Sequence, residues 1–293
     1  PGVVRLSFGM ITPRLRLLVA AWILLLALVP ARAAAQFLLV PMDDEQRNHL
    51  KAYGLTYNAI KEGLRAEWFL NYRGGSFLLP DAADVRRRAG LDGVTVEPIS
   101  ASRLGAIRAE IAGGNMDAIP LEKAPRVAIY TPPDAPPWDD AVTLALRYAG
   151  IEYATVFDEE VVHGDLAKYD WLHLHHEDFT GQFSKFHIAY RGAPWFIQQV
   201  QSAQALAQRL GFPNPPALKK AVARRMRQYV ENGGFLFAMC GATETLELAV
   251  AGSDVDIAGN FADGTPIDGN ADAKMRWARS FAFRNAHIEQ SPL

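Results

Sequence analysis

The chain has a single cysteine, Cys240, among 293 residues, so no disulfide can form within it. It has no C-x-x-C pair and no spacing of a standard zinc motif. Basic residues are not in excess: 30 Lys and Arg stand against 32 Asp and Glu, for a formal charge of −2, and a basic nucleic-acid face is not expected. Long apolar runs are also scarce. The longest, Leu17 to Val29, is thirteen residues, well short of the roughly 20 needed to span a bilayer. There is no short internal repeat, and no cofactor-binding motif is expected.

The apolar run has a different meaning in its context. Met10 is the first plausible initiator, Arg14 and Arg16 precede the run, and Ala31, Ala33, Ala34 and Ala35 follow it. Together they match a secretory signal with an A-x-A cleavage site. Residues 1–35 are therefore read as upstream residues and signal peptide, with the mature chain beginning near Ala34 or Gln36. Cleavage would remove four arginines and no acids, leaving a charge of −6. An exported, periplasmic or extracellular protein is expected, with no stable membrane span after cleavage. A free thiol in such a protein needs a reason, either deep burial or use.

Residues 36–120 read as an N-terminal βαβ portion. "QFLLVPM" is a strand, "DDEQRNHLKAYGLTYNAIKEG" a helix ending at Gly63, and "RAEWFLNY" and "SFLLP" are strands about the turn Arg73-Gly74-Gly75. A helix near Asp81 to Ala89, a strand at "VTVEPIS" and a helix from Ala101 to Ala112 follow. Residues 121–293 alternate strand and helix: "RVAIY", "AVTLALRYAG", "YATVF", "YDWLHLHH", two helices (Phe196 to Leu210 and Pro216 to Asn232), "FLFAMC" and "ATETLELAVAG". That alternation predicts an α/β fold with a mostly parallel sheet covered on both faces. Ligands of such sheets sit beyond the carboxyl ends of the strands. The rule brings Thr131, Asp158, His175, His176, Glu177, Asp178 and Cys240 to one rim.

At Cys240 a strand turns sharply into a helix, with small residues two before and two after it, Ala238 and Ala242. This is the steric signature of a nucleophile elbow, in which the following N–H groups, beginning with Gly241, form an oxyanion hole. The helix N-terminus would also favour the thiolate. The alternative is that Cys240 ends a buried strand as a small hydrophobe. His175, His176 and Glu177 are read as catalytic partners, and Thr131, Asp158, Asp178, Gly241 and Thr243 as substrate contacts. For the histidine cluster a structural polar network and a metal site also stay open, although one short strand does not usually wrap a metal. Thr180-Gly181-Gln182 is expected to form a mobile loop over the cleft.

Smaller signals have plainer readings. Asp139 and Asp140 cap a helix, and Lys219, Lys220, Arg224, Arg225 and Arg227 form a solvated helix face. Asp254, Asp256, Asp263, Asp268 and Asp272 lack calcium-loop spacing.

The stretches "RVAIY", "ALRYAGIEYATVFDEEV", "LAKYDWLHL" and "RQYVENGGFLFAMCGATET" resemble the class I glutamine amidotransferase-like superfamily, over Arg126 to about Gly252. "LLVPMDDEQRNHLKAYG", "NYRGGSFLLP", "PWDDAVTLAL" and "WLHLHHEDFTGQFSKF" are similar to exported bacterial proteins labelled asparagine synthetase B. The resemblance implies a flavodoxin-like three-layer α/β/α fold and a cysteine-dependent hydrolase of an amide or related small substrate. The alternative is a non-catalytic binding or scaffold module on the same fold, holding a small-molecule, glycan or peptide ligand. Asparagine synthesis itself is not expected, because an N-terminal cysteine and an S-G-G-x-D-S nucleotide loop are absent. Where amidotransferases carry a Gly-rich turn, this chain has His175-His176-Glu177-Asp178. His287 to Glu289 has the spacing of their His-x-Glu pair, although the stretch could be an ordinary strand. Relatives continue into a Gly-Gly-His-Asp-Pro segment, so the domain is expected to be truncated, with a catalytic histidine beyond Leu293.

Overall fold

The computed structural model describes residues 36–133, 135 and 140–288. The signal-like segment, Asp139 and Glu289 lie outside them. Two sheets organise the chain. The first is built from β1 (Phe37–Val40), α1 (His49–Lys61), β2 (Ala66–Leu70), β3 (Ser76–Pro80), α2 (Ala83–Asp92), β4 (Glu97–Ile99), α3 (Ala101–Ala112) and β5 (Asp117–Leu121).

The strand order is β4-β1-β3-β2-β5 and every pairing is antiparallel. The expected βαβ grammar is present but split. β1 and β2 run the same way with β3 inserted between them, and β3 and β4 likewise flank β1. Alternation along the strands sorts the core. Leu38, Val40, Phe77 and Leu79 pack under α1 and α2, whereas Leu39, Phe69 and Leu78 meet Leu104, Ile107 and Ile111 of α3. Arg73 closes the hairpin in a left-handed conformation (φ 47°), with its guanidinium held by Asp43, Glu45 and Glu97. Those acids explain why α1 starts later than the sequence suggests. Asp43 and Glu45 belong to the loop that binds Arg73, and Asn48 is the cap, accepting from Lys51 N–H. β5 was not expected from sequence.

The second sheet carries β6 (Val127–Tyr130), α4 (Ala141–Ala149), β7 (Tyr153–Val156), α5 (Asp158–His163), β8 (Trp171–Leu174), α6 (Ser184–Tyr190), α7 (Pro194–Arg209), α8 (Pro215–Glu231), β9 (Phe235–Ala238) and α9 (Gly241–Ala251). Short helices α10 (Asn260–Asp263) and α11 (Ala271–Lys274) follow. All four strands are parallel, in the order β7-β6-β8-β9.

Ala128, Tyr130, Leu172 and Leu174 face α5, α8 and α9, where Leu218, Val222 and Met226 recur at helical spacing and are fully buried or nearly so. Each such side chain contributes roughly 1.5–3 kcal/mol relative to exposure. Among the described residues the opposite face is covered in part, where the sequence predicts cover on both sides. Among the described residues α4 packs over Val127 and Ile129, and it does not reach β9. Phe235 and Phe237 are left 57% and 47% exposed. The stretch Ser280 to Ile288 forms no strand; Phe281, Ala282 and Phe283 give their N–H groups to the buried carboxylate of Glu247.

The two sheets meet through α1 and α4. Gly54 lies so close to α4 that a Cβ there would fall 1.7 Å from the carbonyl oxygen of Ala149. Asn58 donates to the Gly150 carbonyl and Asn48 to the Tyr148 hydroxyl.

Candidate functional site

The rim at the carboxyl ends of β8 and β9 is where chemistry-bearing side chains meet. β8 ends at Leu174, so His175 and His176 stand in the loop beyond it. Cys240 stands between β9 and α9 with φ 52° and ψ −139°. That is a positive-φ conformation that a residue with a Cβ adopts only under constraint. The thiol is exposed and Ala242 is fully buried against the core, so the packing explanation for a lone cysteine has no support in its surroundings.

Three contacts join the segments. Ala242 N–H donates to the His175 carbonyl (3.2 Å), Thr245 Oγ1 donates to the Glu177 carbonyl (2.8 Å), and a Cβ on Gly241 would sit 3.5 Å from the His176 carbonyl oxygen. His175, His176, Glu177, Gly241 and Cys240 are therefore neighbours. Ala242 N–H is taken up by that bond and Thr243 N–H by the Cys240 carbonyl. Of the three N–H groups that follow Cys240, that of Gly241, the first of the helix, makes no hydrogen bond within the described residues. The expected row of oxyanion donors thus reduces to one. Thr243 donates its hydroxyl to the Cys240 carbonyl (2.7 Å), which stiffens the elbow.

Asp140, which caps α4 by accepting from Val142 N–H, has a second role. Its buried carboxylate lies 3.7 Å from His175 Nδ1 and 3.5 Å from His173 Nε2. His175 Nδ1 is also 3.0 Å from His176 Nδ1, so one ring donates to the other, with the direction set by the tautomer. His173 is fully buried, and at 3.5 Å the Asp140 contact is an ion-pair distance without a well-formed hydrogen bond. Burial pushes the His173 ring below its ordinary pKa, against the upward pull of Asp140. Burial pushes the Glu177 carboxyl up, opposed by the His175 N–H that it accepts at 3.0 Å. The thiol, two imidazoles and a carboxyl with raised proton affinity thus stand on adjoining segments, although none of the hydrogen bonds of the described residues joins Cys240 Sγ to either imidazole.

The remaining expected contacts go elsewhere. Asp158 is buried on the other side of the sheet, accepting from the Tyr130 hydroxyl and from Lys219 Nζ (2.9 Å). Asp178 organises its own loop by accepting from Thr180 and Phe183. Thr131 spends its N–H on the Val156 carbonyl, and no hydrogen bond joins its side chain to the histidines among the described residues. The Thr180-Gly181-Gln182 segment is packed down: Thr180 is buried and Gly181 abuts Pro215 and Pro216, where a Cβ would clash at 2.8–2.9 Å. His287 pairs with Asp272 (2.7 Å).

Lys219 and Lys220 are not a solvated face. Lys219 turns inward to Asp158, and Lys220 donates to the Val255 carbonyl (2.6 Å), with burial pushing its ammonium pKa down.

Among the described residues no group of three or more His, Cys, Asp or Glu is arranged to hold a metal ion, and no helix is long and apolar enough to cross a membrane. A concavity of about 490 Å³ lined by Arg126, Asp170, Tyr229 and Gly234 lies where the strands begin, away from the rim. No family model matches the chain, and neither does a curated protein or a solved structure.

Proposed function

We propose that the chain is an exported class I glutamine amidotransferase-like protein that hydrolyses an amide or related small acyl substrate, with Cys240 as nucleophile. The observation that carries this is the backbone of Cys240, φ 52° and ψ −139°, on a strand-to-helix turn between the small residues Ala238 and Ala242. An elbow of that kind projects the nucleophile and keeps it off the sheet. The strand order β7-β6-β8-β9, all parallel, supports a flavodoxin-like reading, because it reproduces the first four positions of the 2-1-3-4-5 order. Export rests on the composition of residues 10–35.

In this mechanism the thiol proton passes to the His175–His176 pair as sulfur attacks the carbonyl carbon. Gly241 N–H donates to the oxyanion, the imidazole returns the proton to the leaving nitrogen, and water cleaves the thioester. Asp140 acts on His175 as a positioning residue, its carboxylate 3.7 Å from the ring Nδ1.

The test is the rate of iodoacetamide labelling of Cys240 in the native protein, in the urea-unfolded protein and in free glutathione at pH 7. The mechanism predicts labelling faster in the native protein than in either control. Slower native labelling would indicate a shielded, unactivated thiol and leave a binding module on the same fold.

A further inference from the structure

Two imidazoles at the rim set their Nδ1 atoms 3.0 Å apart. One of these atoms carries a proton and the other accepts it, because two bare lone pairs or two N–H groups would repel at that distance. What surrounds the pair decides which. One oxygen of the Asp140 carboxylate stands 3.7 Å from His175 Nδ1, and the other is 3.5 Å from Nε2 of the buried His173 ring. The backbone holds the carboxylate in that place: Oδ1 accepts from Val142 N–H (2.7 Å), and the Asp140 carbonyl accepts from the Thr143 hydroxyl (2.6 Å). A negative charge beside a ring nitrogen favours the tautomer with the proton on that nitrogen.

Glu177, the other carboxyl of this loop, does not compete. Its Oε2 takes the backbone N–H of His175 at 3.0 Å, and no hydrogen bond joins it to either ring among the described residues. His175 Nδ1 therefore bears the proton and His176 Nδ1 accepts it. A neutral imidazole has one N–H and one lone pair. His176 thus keeps its own proton on Nε2 and has no lone pair to spare, whereas His175 is left with a bare Nε2. No hydrogen bond of the described residues occupies that nitrogen, and the His175 side chain is 21% exposed.

We infer that His175 Nε2 is the basic nitrogen of the rim, with His176 as its ring's hydrogen-bond acceptor and Asp140 as the positioning residue that sets the tautomer. Within the proposed hydrolysis, on which this role rests, the Cys240 S–H bond breaks and its proton joins His175 Nε2, giving an imidazolium protonated on both nitrogens, while sulfur bonds to the carbonyl carbon. The same proton then passes to the leaving nitrogen as the C–N bond breaks.

Long-range 1H–15N spectra of the 15N-labelled full chain at about pH 8, above the ordinary histidine range, read the tautomers without any substitution. A proton on His175 Nδ1 and one on His176 Nε2 are expected. Asp140→Asn keeps a capping side chain on α4 and removes the charge, so both rings should then show mixed tautomers. A wild-type proton on His175 Nε2, or an Asp140→Asn spectrum unchanged from wild type, would overturn the inference. Acylation of Cys240 by p-nitrophenyl acetate gives a second readout. His175→Gln should slow it at least about 100-fold, the low end of what a general base contributes, and His176→Gln by less; equal losses would overturn the assignment. If native Cys240 is not acylated at all, the hydrolase reading falls, and the spectra still decide which ring nitrogen is bare.

Discussion

Replacing Lys219 by methionine tests whether the floor beneath the rim is held by charge. Lys219 Nζ lies 2.9 Å from the buried Asp158 carboxylate and 2.7 Å from the Tyr130 hydroxyl, and 4.5 Å from the centre of the Phe157 ring. Methionine keeps the stem and removes the cation, so Asp158 becomes a buried carboxylate with only a phenol for partner. Breaking a buried pair in this way costs about 3–5 kcal/mol, a large part of the 5–15 kcal/mol that holds typical proteins together. At an m value of about 2 kcal/mol per M, the urea midpoint falls by roughly 2 M.

The companion variant Lys219→Met/Asp158→Asn removes the orphan charge and keeps the Tyr130 hydrogen bond, so it should regain at least about 2 kcal/mol. A cost below about 1 kcal/mol for the single variant, or a double variant no more stable than the single, would refute the reasoning. The consequence reaches the site, because Phe179, one residue beyond Asp178, packs on Tyr130 with ring centroids 5.1 Å apart.

Glu177→Gln should be more stable than wild type at pH 7, by on the order of 1 kcal/mol, and equal to it near pH 4. Burial raises this carboxyl, so the folded state binds the proton more tightly and stability falls as pH rises above the ordinary carboxylate range; thermal melts at the two pH values check it. For His173 the sign is opposite. Its ring is pushed down by burial, the unfolded chain binds more protons below about pH 6.5, and stability is lost as pH falls. Wild type should therefore lose more stability between pH 7.5 and 5 than His173→Phe, measured by urea unfolding. Gly54→Ala must force α1 from α4 and should cost about 1–3 kcal/mol, whereas Gly105→Ala on α3, with open space around its Cβ, should gain up to about 1 kcal/mol; denaturation midpoints separate the two.

Elements with strong periodicity and clear stops were legible in the sequence. The run "AVTLALRYAG" is a helix that ends at Gly150 with φ 74°, and "FLFAMC" turns into a helix at Cys240. Pairing direction in the first sheet was not legible, because β1, α1 and β2 have the same local pattern whether the strands are adjacent or separated by β3. β5 was hidden by Pro120 and by half-exposed residues on an edge strand.

At the rim, topology brought His175, His176, Glu177 and Cys240 together, because parallel strands deliver their ends to one side. The same rule misplaced Asp158. It fixes where a backbone ends but not to which face a side chain turns, and the buried Lys219, 61 positions along the chain, drew that carboxylate inward. Asp140 was visible only as a cap, although its place after β6 on the same rim was the signal for more.

The central claim is that Cys240 is a working nucleophile, and covalent capture tests it most directly. Native protein is mixed with p-nitrophenyl acetate at pH 7, p-nitrophenol release is followed, and the protein is digested for mass spectrometry. The account predicts a burst of p-nitrophenol with one acetyl group on the Cys240 peptide, slowed in His175→Ala and Asp140→Asn and absent in Cys240→Ala. Acetylation of Cys240 no faster than in the urea-unfolded chain, or none at all, would contradict it.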